Sequence, residues 1–170
     1  QGNYPEAITQ EEHCHALFAR HALHMPMRYM IHEYQSRLSL ALWRWLENGE
    51  GMTKTLELDI PDLNTRSHRD ASFQRSVLQC LEAASNKANG EAPRSIVEGA
   101  LANWHRMDKS QQQSYQTSFF LLAALAHRHL GIAAAPEGWQ AQLERFRFQR
   151  QGHMPHWVTD AARRCDIAFG

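Results

Sequence analysis

The sequence predicts an all-α fold: a single compact domain over residues 1–170, with six to seven helices packed around a central apolar helix at about residues 109–130. Three observations predict it. The stretch 114–131, SYQTSFFLLAALAHRHLG, is apolar on nearly every side, so a helix there has to be wrapped by neighbours. Apolar residues recur at helical spacing in most segments between the proline and glycine breaks. Only residues 52–63 alternate with a strand period, and they contain Pro61 and have no second strand to pair with, which predicts an extended connector.

Taken in order, Thr9 and Glu12 have the spacing of a capping box and predict a helix at about 10–24, with Cys14, Leu17, Phe18 and His21 as its buried stripe. Pro26 ends it and can open the next. That second helix, at about 27–47, keeps Met27, Met30, Ile31, Tyr34, Leu38, Ala41, Leu42 and Trp45 on one face, and Asn48-Gly49-Glu50-Gly51 stops it. After the connector, a third helix at about 70–88 presents Phe73, Val77, Cys80, Leu81 and Ala84. Pro93 begins a fourth at about 93–107, with Ile96, Val97, Ala100, Leu101 and Trp104 inward. Asp108 and Gln111 form a second capping box that opens the central helix, and Gly131 can take its left-handed stop. Pro136 predicts a further helix with Trp139, Leu143 and Phe146, and Pro155 a last one with Trp157, Val158, Ala161 and Cys165.

Composition narrows the function classes. Lysine plus arginine and aspartate plus glutamate each total 18, so no global field holds a polyanion and a nucleic-acid grip needs a local patch. Cys14, Cys80 and Cys165 are an odd set without paired spacings, which fits a reducing compartment and predicts a cytoplasmic protein. The longest apolar run, 119–126, is far short of the roughly 20 residues of a membrane helix. No phosphate-binding loop, dinucleotide fingerprint or nucleophile elbow occurs, so no catalytic residue is assigned and no cofactor is implied.

The chemistry-bearing residues therefore point first to surfaces. Leu40 and Trp43 form a second apolar edge on the long helix, and Phe148 and Phe169 raise the same question near the C terminus, so these four are the candidate partner-binding residues. The first reading is a non-enzymatic interaction module, an adaptor, regulator or subunit that binds a protein partner or a second copy of itself. An alternative rests on Arg145, Arg147, Arg150, Arg163 and Arg164, interleaved with aromatics as nucleic-acid surfaces are.

Eleven histidines carry a third reading, metal or haem binding. His21 and His24 are three apart on one helical face, and His15 lies a turn or two earlier. The run 125–139 resembles the stretch around the haem-binding histidine of bacterial globins, where a histidine near a helix end is followed by an apolar loop, a proline and an aromatic, here Pro136 and Trp139. The resemblance implies His129 as an axial ligand. His15, His21, His24 and His129 are thus the candidate ligands.

Overall fold

The computed structural model describes residues 2–21, 27–58, 65–85, 94–130, 141, 144 and 154–167. Among them every regular element is helical. The helices are α1 (Tyr4–His21), α2 (Met27–Asn48), α3 (Thr53–Leu56), α4 (Arg66–Ser85), α5 (Arg94–His105), α6 (Lys109–Ser114), α7 (Gln116–Leu130) and α8 (His156–Arg164). α7 packs against α4, α5 and α8, while α2 packs against α1, α4 and α8. α4 is the wall shared by both halves.

The enclosure predicted for the central helix is present: residues 119–126 are all buried. Its first layer is aromatic. The Trp104 ring of α5 stacks on Phe119 with centroids 4.3 Å apart, and Phe73 of α4 tilts against Trp104 at 5.3 Å. Such pairs add about 0.5–1.5 kcal/mol each beyond the area they bury.

The central helix is bent rather than straight. Its capping box forms, with the Gln111 amide N–H donating to Asp108 Oδ1 at 2.9 Å and the Asp108 N–H donating to Gln111 Oε1 at 3.2 Å. Tyr115 then leaves helical geometry at φ −102° and ψ 17°. The bend falls where Tyr115 turns its ring edge-on to Phe73 at 6.0 Å and accepts a 3.3 Å hydrogen bond from Gln74 Nε2, both on α4. One expected helix becomes α6 and α7.

Gln111 is a fully buried polar side chain whose donors and acceptor are all used. Its Nε2 donates to the Arg66 carbonyl at 3.0 Å and to Asp70 Oδ1 at 2.6 Å, and its Oε1 also accepts from Arg69 Nε at 3.2 Å. The start of α6 is thereby tied to the first turn of α4. At the end of α2, Gly49 takes φ 81°, a left-handed turn in which its N–H donates to the Trp45 carbonyl at 3.0 Å. α8 ends in the same way through Asp166 at φ 53°, where the Ile167 N–H donates to the Ala162 carbonyl at 2.8 Å.

Three further expectations are corrected. α1 starts at Tyr4 instead of near residue 10, because Pro5 can occupy a first helical turn; Thr9 lies inside, its hydroxyl donating to the Pro5 carbonyl at 2.9 Å. Its expected buried stripe is largely outward: Cys14, Leu17 and His21 are exposed and Phe18 is half-buried. Polar contacts to α2 fix this rotation. Ser36 Oγ donates to Glu11 Oε1 at 2.7 Å, Arg44 Nη2 to Glu12 Oε1 at 2.6 Å, and His15 Nδ1 lies 3.5 Å from Glu33 Oε1. Within the expected connector, residues 53–56 form α3, because Glu82 Oε1 accepts from the Met52 N–H at 2.9 Å and from the Thr53 hydroxyl at 2.7 Å. The helix expected after Pro136 lies outside the described residues except for Ala141 and Glu144, both helical.

Replacing Gln111 by leucine strands the Asp70, Arg69 and Arg66 groups it satisfies and is expected to destabilise the fold by about 3 kcal/mol. The same change at exposed Gln113 stays within about 0.5 kcal/mol. Urea unfolding of the two variants makes the comparison.

Candidate functional site

A cleft of about 190 Å³ opens where α2, α4, α7 and α8 meet. Its walls are built by helical spacing: Leu38 and Leu42 lie one turn apart on α2, and Val77 and Leu81 one turn apart on α4, with Leu78 beside them. Trp43 and Trp157 also line it. Ser39 on α2 and Ser118 on α7 are small, and they leave the space that larger side chains would fill. Gln74 completes the lining, and none of the described lining residues is charged.

The Trp43 side is fixed from α1 and α8. Tyr4 stacks on Trp43 with centroids 6.1 Å apart, and its hydroxyl donates to Asp160 Oδ2 at 2.5 Å. Arg163 Nη1 also donates to Asp160, at 2.8 Å. Burial pushes the Tyr4 hydroxyl well above the usual phenol range, and its bond to Asp160 adds to that. Partial burial works against ionised Asp160, but the Tyr4 hydroxyl and the Arg163 guanidinium outweigh it and hold the carboxyl below its usual value.

The candidate partner-binding residues are placed apart. Trp43 lines the cleft, whereas Leu40 is only 9% exposed and forms part of a different groove with Arg37, Arg44 and Lys54. Two of that groove's cations are already paired, Arg37 with Glu33 at 2.5 Å and Arg44 with Glu12 at 2.6 Å. Phe148 and Phe169 lie outside the described residues.

Of the arginine set, Arg145, Arg147 and Arg150 also lie outside the described residues. Arg163 pairs with Asp160, and Arg164 docks on α2, its Nη2 donating to the Leu46 carbonyl at 2.9 Å and its guanidinium lying 5.5 Å from the Trp45 ring centre. Among the candidate ligands, His15 sits beside Glu33 between α1 and α2, and His21 is exposed at the end of α1. His24 lies outside the described residues, as does the side chain of His129. Among the described residues no three His, Cys, Asp or Glu side chains converge as a metal site would require.

Sequence reasoning named Trp43 but not Gln74 or Ser118. Their only sequence signal is position: each is polar and adjoins a buried aromatic, Phe73 or Phe119, at the edge of an apolar helical stripe. Comparison with protein-family models, with curated proteins and with solved structures returns no match.

Two outcomes follow from these environments. Ionised Asp160 contributes stability that is complete above the unfolded aspartate value, about pH 3.9, and is lost as pH falls through the lowered folded value. Tyr4→Phe is expected to flatten that acid limb in unfolding measured from neutral pH downward. Burial also pushes the Cys80 and Cys165 thiols up to about 12, while Cys14 is exposed. A thiol reagent should therefore titrate one cysteine in the native protein and three after denaturation, with Cys14→Ser removing the rapid one.

Proposed function

We propose that the protein is a non-enzymatic interaction module, an adaptor, regulator or subunit of a larger assembly, acting through its surface on a protein partner or a second copy. The observation that supports this reading is the outward face of the α1–α2 hairpin. α1 is 18 residues long, yet Tyr4 is its one buried residue. Leu17 is 43% exposed on α1 and Met30 is 50% exposed on α2.

The polar pairs Glu11–Ser36 and His15–Glu33 set an antiparallel register in which Leu17 and Met30 fall near the same end of the hairpin. Cys14 and half-buried Phe18 adjoin them. A stripe of this kind on an amphipathic helix is what a partner buries, at about 1.5–3 kcal/mol for each large apolar side chain covered. Cytoplasmic residence belongs to the same reading and is supported by the three free cysteines. No described helix is long and apolar enough to cross a membrane.

The test is native mass spectrometry of the protein purified at low salt from its source, beside a Leu17→Arg/Met30→Arg variant. A bound chain or second copy is expected in the parent, with affinity at least about tenfold weaker in the variant. A strictly monomeric parent, or a variant that binds as the parent does, would remove the reading.

A further inference from the structure

We infer that the cleft between α2, α4, α7 and α8 is a binding site for a small neutral aromatic molecule carrying one hydrogen-bond donor, of the size of phenol or indole. This goes beyond the interaction reading, which rests on the α1–α2 face. Three observations converge on it.

The first is size. The cleft holds about 190 Å³. An apolar cavity of about 150 Å³ is enough to take up benzene, so the space fits one ring or a small fused pair.

The second is charge. Among the described residues the walls are Leu38, Leu42, Val77, Leu78 and Leu81 with Trp43 and Trp157, and the polar lining residues, Ser39, Gln74 and Ser118, are neutral. A charged ligand would lose its hydration here without finding an opposite charge among these residues. The tryptophan rings offer an aromatic guest stacked or edge-on contact.

The third is an unused acceptor. Among the described residues, Gln74 Oε1 is enclosed without a hydrogen-bond partner. The other end of the same amide is only lightly held, Nε2 donating to Tyr115 Oη at 3.3 Å. Buried polar atoms are nearly always paired, and an orphaned amide oxygen is costly. A ligand O–H or N–H entering beside Gln74 supplies the missing donor once the amide turns about its terminal torsion to meet it, giving up the long Nε2–Tyr115 bond in exchange. Benzene can fill the same space but leaves the oxygen unpaired.

The experiment titrates the full chain with phenol, indole, benzene and benzoate, read by saturation-transfer NMR and by tryptophan fluorescence. Phenol and indole are expected to bind, benzene about fivefold more weakly than phenol, the worth of roughly one hydrogen bond, and benzoate not at all. Gln74→Leu should bring phenol and benzene to equal affinity. Ser118→Phe should abolish binding of every ligand by filling the space, and Ser39→Phe serves the same purpose if the first variant does not fold. The inference is overturned if no ligand binds up to its solubility limit, if phenol and benzene bind the parent equally, if Gln74→Leu keeps the preference for phenol, or if a folded filled variant binds as the parent does.

Discussion

A helix that is apolar on all sides has to be enclosed, and that constraint arranges most of this molecule. Residues 119–126 of α7 present no polar side chain that could face water, so α4, α5 and α8 close around them. The aromatic layer at Phe73, Trp104 and Phe119 sets the spacing between α4, α5 and α7. α2 packs on α4 and reaches α8, and α1 packs outside α2. The order of burial runs outward from one sequence segment.

Polar groups act mainly at the ends of helices, where backbone N–H and C=O groups lack partners. Gln111 binds the start of α6 to the start of α4, Glu82 receives the start of α3, and Arg164 reaches the Leu46 carbonyl in the last turn of α2. Arg128 Nη1 of α7 donates to the carbonyls of Cys165 and Asp166, closing α8 against the core helix. These bonds add modest net stability each, but leaving one buried group unmade is expensive. They specify where each helix stops.

Much of this was legible in the sequence. The enclosed helix, its capping box at Asp108 and Gln111, the long amphipathic α2, and the glycine stop at Gly49 all follow from local spacing and backbone preference. What could not be read depends on contacts between distant residues. The orientation of α1 is decided by Glu11 and Glu12 finding Ser36 and Arg44, so the periodicity of Cys14, Leu17, Phe18 and His21 was clear while its direction was not. The bend at Tyr115 depends on Phe73 and Gln74. The cleft depends on small residues from separate helices, Ser39 and Ser118, meeting in space. Such gaps have no one-dimensional signature.

The outer layer and the core should differ in more than exposure. α1 meets α2 through polar pairs at partly exposed sites, which contribute little individually, and through the Tyr4–Trp43 stack, whereas residues 119–126 of α7 are buried on every side. Native-state hydrogen exchange tests this division directly. The amides of residues 119–126 are expected to exchange only through global unfolding, with protection equal to the unfolding free energy from urea, while α1 beyond Tyr4 exchanges through local opening that urea barely affects. Exchange at 119–126 as fast as in α1 would contradict the claim that the fold is organised around the enclosed helix.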